Sequence, residues 1–317
     1  MSSKLLNAGM DAVYAWVDGS DPDFLSRRSY YFKQQQEYNL EKIANLDSRF
    51  EEVNELFYSI RSVRKFAPWI KNIYVITDRQ IPKFIHNGLL QDKALFIIDH
   101  KLVFRNYEKS LPTFSSRAIE AVFDRIPNLS EKFIYLNDDF FLVREVEPSA
   151  FYIDGKYIFY GCAEPKNPYL NKLWRLLSIN SEMEAKQGLV GLKNEVRHQS
   201  GLLAFRSAHV PGIFDRSSYS KIVTDEIIKS VLKHKFRSSD QMRTHALWRN
   251  AMLYRKQAII RKSGWSFYMP STALNSVEQY EKDNNDGVQF TSFQNMSEVS
   301  IEKQKIFYDF LEQRLLR

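Results

Sequence analysis

The fold is decided by the stretch FIYLNDDFFL at residues 133–142, in which two apolar runs enclose Asn137, Asp138 and Asp139. A short apolar run rich in aromatic residues predicts a strand that is buried on both faces of a sheet. Ligands of such sheets bind beyond the carboxyl ends of the strands, so the two carboxylates are expected at the mouth of a site. Because an unpaired buried carboxylate is costly, we expect a cation there, and a metal ion carrying a phosphate is the leading candidate.

A structural alternative stays open for the same three residues. Asn137 and Asp138 are of the types that cap turns, and Asp139 could pair with an arginine without any catalytic purpose. The strand would be buried in either case. The two interpretations differ only in the chemistry at its end.

The composition favours a packed enzyme with acidic partners. Lys plus Arg number 45 against 38 Asp plus Glu, a formal charge of +7, which suits phosphates, nucleic acid or an anionic membrane face. The aromatic share of 14% with only 11 glycines argues against a disordered nucleic-acid-binding tail. Cys162 is the single cysteine, so an intrachain disulfide and a multi-cysteine zinc site are excluded.

The sequence also predicts a cytoplasmic location. The first ten residues contain one lysine and no long apolar run, which argues against a signal peptide. No apolar window reaches the roughly 18 residues that would span a membrane. From the net charge we expect, at most, peripheral attachment to the inner membrane face.

Alternating strand and helix patterns predict an α/β fold. Strands are expected at residues 11–17, 72–77, 95–99 and from residue 133, and each ends in or beside an aspartate. Apolar residues at helical spacing predict a helix over residues 51–66, ended by Pro68, and another from Ser115 or Ser116 to Ile126. This order indicates a mostly parallel, GT-A or Rossmann-like nucleotide-binding sheet flanked by helices. Neither G-x-G-x-x-G nor a P-loop motif is present.

The chain is predicted to be a single catalytic unit over residues 1–317. Residues 8–150 would form the nucleotide-binding core, and a helix-rich part over residues 151–317 would complete the site on the acceptor side. Within that part, residues 180–192 read as a polar loop or lid. An amphipathic helix over residues 300–317 is expected to pack on the domain, with membrane contact as a less favoured alternative.

Two further positions have chemical content. Arg237 precedes Ser238 and Gln241, which have capping-box spacing, and an arginine beside a helix N-terminus would form an anion site. The alternative is a surface arginine paired with Asp240. His209 lies in a turn before Pro211, where an imidazole could act as a general base or bind phosphate, although a lone histidine is more often structural.

Taken in order, many motifs of the chain match one family. Residues 11–22 contain VYAWVDGSDP, and the matches that follow are Asn54-Glu55-Leu56, Arg61-Ser62, Ala67-Pro68-Trp69-Ile70, Ile73-Tyr74-Val75-Ile76-Thr77-Asp78, Ala118-Ile119-Glu120 and Tyr135-Leu136-Asn137-Asp138-Asp139. The pattern resembles the Stealth family of sugar-1-phosphate transferases, which includes bacterial capsular polysaccharide phosphotransferases. So many ordered matches over about 130 residues are not expected by chance.

The later family signatures are matched more sparsely. His209-Val210-Pro211 resembles the third signature, and His234-Lys235-x-Arg237-Ser238-x-Asp240 resembles its basic segment. In the fourth, Leu274-Asn275-Ser276 has a serine where an aspartate is usual, so either Ser276 or the segment 283–286 would fill that role. Arg117 stands where many members have a histidine, and no catalytic role is carried over to it.

The resemblance implies transfer of a sugar-1-phosphate from a UDP-sugar to a glycan hydroxyl, with release of UMP. Asp138 and Asp139 would hold Mg²⁺ or Mn²⁺, Arg237 would bind the phosphate, and His209 would be the general base. The residues expected to contact the nucleotide or acceptor are Trp16, Asp18, Gly19, Asn54, Arg61, Asn137 and Asn275.

Three rival interpretations stay open. A metal-dependent glycosyltransferase would use similar carboxylates but release UDP. A non-catalytic partner in capsule assembly would explain Ser276 in place of an aspartate. A basic nucleic-acid-binding protein would explain the charge but leaves Asn137, Asp138 and Asp139 without a purpose, so no nucleic-acid partner is expected.

Overall fold

A computed structural model describes residues 9–34, 53–165, 203–269, 275–285 and 287–316. Within these residues the strands are β1 Asp11–Ala15, β2 Ile73–Thr77, β3 Leu95–Asp99, β4 Lys132–Leu136, β5 Phe140–Leu142, β6 Tyr152–Ile153, β7 Lys156–Pro165, β8 Leu203–Ser207, β9 Gly212–Asp215, β10 Ala258–Arg261, β11 Trp265–Tyr268 and β12 Phe290–Phe293. The helices are α1 Pro22–Gln34, α2 Glu55–Phe66, α3 Lys83–His86, α4 His100–Val103, α5 Ser116–Glu120, α6 Arg216–Ile222, α7 Asp225–Leu232, α8 Thr244–Tyr254, α9 Val277–Asp283 and α10 Ile301–Leu316.

The largest sheet has five strands in the order β3-β2-β1-β4-β9. The first four strands of this order run parallel, and β9 is antiparallel to β4. Helices follow β1, β3 and β9 along the chain. The predicted fold class, an α/β protein with a mostly parallel sheet flanked by helices, is therefore confirmed.

The described residues form two smaller sheets, of which the second joins strands from both sides of residue 150. In the first, β7 pairs with β6, β8 and β10. In the second, β12 lies between β11 and β5, antiparallel to β5. Because β9 and β12 pair with β4 and β5, strands from beyond residue 150 complete sheets begun before it. The functional division at residue 150 stays a prediction.

Helix α2 shows why the sequence pattern forms the element that it predicts. Leu56, Ile60 and Val63 are fully buried and lie on one face, while Arg61 and Arg64 on the other sides are partly exposed. The helix ends at Phe66 because Pro68 disfavours helical backbone in the residue before it. Ser59 and Ser62 on the buried face bond to the backbone of Phe140 and Leu142, which fixes α2 against β5.

Several element boundaries differ from the predictions. Strand β1 ends at Ala15 rather than residue 17, although the Trp16 amide still donates to the Ile76 carbonyl at 2.9 Å. The helix predicted from Ser115 to Ile126 is only α5, followed by a single 3₁₀ turn over Phe123–Arg125. The part after residue 150 contains strands β6 to β12 in addition to its helices. The polar segment 180–192 lies outside the described residues.

Helix α10 packs on the domain. Phe307, Phe310 and Leu311 are buried in an apolar cluster, where Phe307 meets Phe141 with ring centroids 5.3 Å apart. Ile301 is 83% exposed because it begins the helix beyond this cluster. Among the described residues, no helix is both long and apolar enough to cross a membrane.

Candidate active site

The site lies where the order of the strands reverses. From β1 the chain moves outward to β2 and β3, and then returns to add β4 on the other side of β1. Crevices at such switch points are the usual ligand sites of open α/β sheets. Tyr14 stands opposite Leu136 in the parallel register, so the polar residues that follow β1 and β4 emerge at the same edge.

The two aspartates lie in a tight turn between β4 and β5. The Asn137 carbonyl accepts a hydrogen bond from the Phe140 amide at 3.2 Å, and Asp138 Oδ1 accepts one from the Asp139 amide at 3.1 Å. This agrees with the turn-capping part of the structural alternative. Its other part is wrong, because Asp139 pairs with a histidine rather than an arginine.

His209 is brought to Asp139 by the turn between β8 and β9. Its Nε2 lies 2.9 Å from Asp139 Oδ2 and 3.0 Å from the side-chain amide of Gln294, just after β12. The rings of Phe140 and Phe267 meet the imidazole edge-on, at centroid distances of 4.6 and 5.6 Å. The Gln294 atom that faces the ring is its amide nitrogen, Nε2. A His209 tautomer that donates from its own Nε2 to the Asp139 carboxylate leaves the lone pair on Nδ1. This arrangement suits a base that acts through Nδ1.

The second oxygen of Asp139 has a different environment. Asp139 Oδ1 is buried and has no hydrogen-bond partner within the described part of the chain. A buried carboxylate oxygen without a donor is unfavourable unless a cation supplies the missing charge. No group of three or more His, Cys, Asp or Glu side chains among the described residues could hold a metal ion alone. A pair of carboxylates nevertheless fits Mg²⁺, which binds through one or two carboxylates plus substrate phosphates and water.

Arg237 is held beside this site by two interlocked segments of backbone. The Phe114 amide donates to the Lys235 carbonyl at 2.7 Å, and the Lys235 ammonium donates to the carbonyls of residues 110–112. Arg117 donates to the Ser238 carbonyl at 2.6 Å, and Arg237 itself donates to Ser116 Oγ. The guanidinium is therefore fixed at the start of α5.

The predicted helix N-terminus at Ser238 is wrong. Ser238 accepts a bond from the Asp240 amide at 3.3 Å within a turn, and α8 begins only at Thr244, after the N-cap residue Arg243. The Ser238 and Gln241 side chains are instead buried, and Gln241 accepts a hydrogen bond from Ser115 at 2.7 Å. Tertiary bonds to the segment before α5 thus replaced the expected capping box.

A second histidine–carboxylate pair lies beyond Arg237. His245 Nδ1 lies 2.7 Å from Oε2 of Glu120, a buried residue at the end of α5. Burial alone would raise the pKa of Glu120, but the charges of His245, Arg237 and Arg117 outweigh it and hold the pKa below its usual value. Glu120 is therefore ionised, and it lies under the influence of the guanidinium groups of Arg237 and Arg117.

The residues after β1 form a closely bonded loop. Asp18 accepts bonds from the Ser20 amide and hydroxyl at 2.9 and 2.5 Å, and Lys83 lies 3.0 Å from its other oxygen. Burial would raise the pKa of Asp18, but these donors together lower it. Trp16 and Gly19 are buried in the same loop. A nucleotide contact for Trp16, Asp18 and Gly19 stays a prediction.

Three predicted contact residues have described surroundings that do not include Asp138 or Asp139. Arg61 binds Glu312 of α10 through both terminal nitrogens, at 2.5 and 3.2 Å. Asn54 is the exposed N-cap of α2, in the left-handed region at φ 69°. Asn275 is exposed just before α9. Their binding roles stay predictions.

The position of the fourth signature is only partly described. Ser276 is the N-cap of α9, and its hydroxyl oxygen accepts a hydrogen bond from the Gln279 amide at 3.2 Å. Asp283 lies at the end of the same helix, and Asp286 lies outside the described residues. The serine therefore has a structural reason to be present, whichever residue serves the site.

Sequence reasoning missed four residues near the site: Glu120, Tyr135, His245 and Gln294. Glu120 and Tyr135 stand within matched motifs, so the family pattern already contained a signal for them. A glutamate beside the apolar residues of a helix is a second signal for Glu120. His245 and Gln294 had none, because their neighbours come from segments 125 and 85 residues distant.

The fold and the site together define an α/β protein whose sheet edge carries two neighbouring carboxylates, a fixed arginine and a carboxylate-bound histidine. Models of two conserved regions of one protein family both match the chain. Residues 9–34 match "Stealth protein CR1, conserved region 1", and residues 49–159 match "Stealth protein CR2, conserved region 2".

Curated relatives extend this match over most of the chain. The capsular polysaccharide phosphotransferase fcs1 of Haemophilus influenzae is 31% identical over 292 residues, which cover 89% of this chain and 76% of the relative. The capsular polysaccharide phosphotransferase cps12A of Actinobacillus pleuropneumoniae is 41% identical over 151 residues, 47% of this chain and 39% of the relative. The chain belongs to the Stealth family, and it is a transferase.

Solved structures with a similar fold are more distant in sequence. An active-site mutant of LgtC superimposes with a TM-score of 0.46 at 13% identity and covers 96% of this chain and 95% of its own. Mouse xyloside xylosyltransferase 1 gives a TM-score of 0.39 at 12% identity, over 89% of this chain and 96% of its own. Resemblance at this level carries no statement about function.

Proposed function

We propose that the chain is a capsular polysaccharide phosphotransferase that moves a hexose- or N-acetylhexosamine-1-phosphate from a UDP-sugar to a glycan hydroxyl. The proposal rests on one observation, which is that the two carboxylate oxygens of Asp139 have different surroundings. One of its oxygens binds His209 at 2.9 Å, and the other is buried and unpaired. In the proposal a base and a cation site share this carboxylate, and transfer to a hydroxyl from a metal-bound diphosphate uses both groups.

In the proposed reaction, the acceptor hydroxyl oxygen forms a bond to the phosphorus next to the sugar. The bond from that phosphorus to the bridging oxygen breaks, and the bridging oxygen leaves on UMP. The hydroxyl proton passes to Nδ1 of His209, while Asp139 Oδ2 stabilises the resulting imidazolium through Nε2. Atoms and charge balance without a redox partner.

Asp138 and Asp139 Oδ1 would hold the Mg²⁺ or Mn²⁺, whose chemistry is to neutralise charge on the diphosphate. Arg237, held at Ser116, would bind the transferred phosphoryl group, for which a guanidinium is a bidentate donor. Glu120, held by His245, would keep Arg237 oriented. Trp16, Asp18 and Gly19 would contact the nucleotide, with Asn54, Arg61, Asn137 and Asn275 as further contacts.

Product analysis tests the proposal. The protein is incubated with Mg²⁺, a panel of UDP-sugars and short glycan acceptors, and the released nucleotide and new linkage are identified. We expect UMP and a phosphodiester. Release of UDP with a glycosidic bond would instead establish a glycosyltransferase, and no turnover of any donor would favour a non-catalytic role in capsule assembly.

A further inference from the structure

Tyr135, on the strand that leads to Asp138 and Asp139, has a hydroxyl group without a partner among the described residues. The residue is 7% exposed, and its hydroxyl oxygen is buried with no hydrogen-bond partner among the described residues. Buried hydroxyl groups are nearly always bonded, because the lost hydration is otherwise not replaced. An exception beside catalytic carboxylates indicates that a ligand supplies the partner.

The ring of Tyr135 cannot turn the hydroxyl elsewhere. It packs edge-on against Phe123 with centroids 5.2 Å apart, and against Phe214 at 6.5 Å. Tyr135 belongs to β4, three residues before Asp138, and its strand neighbours Ile134 and Leu136 are fully buried. The position of the hydroxyl is therefore fixed by the core.

The charges and the burial around this hydroxyl determine its protonation state and therefore the kind of ligand atom that it can bind. Burial raises the pKa of Tyr135 well above its usual value, and the nearby Glu120, Asp138 and Asp139 raise it further, while Arg237 lowers it. The phenol therefore stays protonated and can donate to an anion. A ligand that carries both a cation and an anionic oxygen would supply a partner to Tyr135 and also to the unpaired Asp139 Oδ1.

We propose that Tyr135 donates a hydrogen bond to a non-bridging oxygen of the phosphoryl group during its transfer. This inference rests on the proposed function, since it needs a phosphoryl group at the metal. Arg237 supplies the positive charge to that group, and Tyr135 supplies a neutral donor held rigidly by the strand. A preorganised donor of this kind acts mainly in the transition state.

The test compares Tyr135→Phe with a matched variant, Tyr14→Phe. Tyr14 is fully buried on the adjacent strand, but its hydroxyl is bonded to Ser59 at 2.9 Å. Each change removes one buried hydroxyl and leaves the ring. Thermal midpoints, calorimetric affinity for the Mg²⁺ complex of the UDP-sugar, and kcat and KM are measured for both variants and the unaltered chain.

The two variants should show opposite patterns. For Tyr135→Phe we expect an unchanged or higher Tm, donor affinity within about threefold, and kcat lower by about 10²-fold, the usual loss for one transition-state donor. For Tyr14→Phe we expect a lower Tm and kcat within about twofold. A Tyr135→Phe variant with kcat within twofold, or with a Tm as low as that of Tyr14→Phe, would overturn the inference. If the unaltered chain forms no phosphodiester, the proposed function itself fails.

Discussion

The two histidine–carboxylate pairs look alike in distance but differ in the surroundings of the acid. His209 lies 2.9 Å from Asp139, and His245 lies 2.7 Å from Glu120. Asp139 has a buried oxygen that no described group satisfies. Glu120 instead faces His245, Arg237 and Arg117.

This difference in surroundings indicates that the two histidine–carboxylate pairs have different roles. A carboxylate with an unsatisfied oxygen can still take a cation. A carboxylate already compensated by several cations gains little from a further one, and is better suited to hold an arginine in place. We therefore expect the first pair to determine kcat and the second to affect mainly donor binding.

Metal removal should have the largest effect. We expect EDTA to abolish turnover and added Mg²⁺ or Mn²⁺ to restore it, because the diphosphate charge then lacks its counter-ion. Binding of Mn²⁺, followed by electron paramagnetic resonance, assigns the ligand: Asp139→Asn should weaken it at least about tenfold, and Glu120→Gln should leave it nearly unchanged. Full activity in EDTA would remove the metal role from Asp138 and Asp139.

Replacement of His209 by alanine should lower kcat by about 10²–10⁴-fold, the usual contribution of a positioned acid–base group. Donor affinity should change little, because the imidazole acts on the acceptor proton. Steady-state kinetics with saturating UDP-sugar measure the effect. If turnover stays within about tenfold of the unaltered chain, His209 is not the base.

Replacement of His245 by glutamine should have a smaller effect of a different kind. Glu120 keeps Arg237 and Arg117 as partners, so we expect a higher KM for the donor and a loss in kcat below about tenfold, less than an acid–base group would cause. The same kinetic assay provides the comparison with His209→Ala. Equal losses of kcat in both variants would remove the distinction between the pairs.

A third histidine, His100, extends the comparison to an imidazole without a bonded carboxylate. It is 4% exposed, and neither ring nitrogen has a hydrogen-bond partner in the described structure. Burial lowers its pKa to about 4, although the charges of Asp78 and Asp99 oppose this shift and those of Arg27 and Arg79 add to it. Its neutral form therefore predominates in the folded protein near neutral pH.

Because the folded pKa lies below the unfolded value near 6.5, the contribution of His100 to stability is present above that pH and is lost as pH falls toward 4. The loss is on the order of 3 kcal/mol by linkage. His100→Phe should flatten this part of the pH profile and leave kcat unchanged, which urea unfolding at pH 7, 5.5 and 4 would measure. If the free energy of unfolding depends on pH equally in both proteins, protonation of His100 does not destabilise the folded chain.

Much of the fold could be predicted from the sequence because its signals are local. The helical stripe of α2 and the apolar run of β4 are visible in short windows, and both elements are present, although α2 begins at Glu55 rather than at residue 51. The same windows misjudged Ser238, because the bonds that fix its segment come from residues 113–117, more than 120 positions earlier. No local pattern contains that information.

The candidate site divides in the same way. Asp138 and Asp139 could be recognised as a probable pair because they end an apolar strand. The pairing of Asp139 with His209 joins residues 70 positions apart, and only the family resemblance suggested that both belong to one site. His245 and Gln294 were missed because each contacts a side chain from a distant part of the sequence, on another sheet or helix.

Strand β9 joins residues of long sequence separation within one sheet. The four parallel strands use residues up to 136, whereas β9, which follows the turn that holds His209, pairs with the far edge of β4. Contacts of such long sequence separation are expected to form slowly, since a large loop must close before they are gained. We therefore expect that, during synthesis, Asp138 and Asp139 are in place well before His209 reaches them, and that the contact between His209 and Asp139 forms only once β9 has docked.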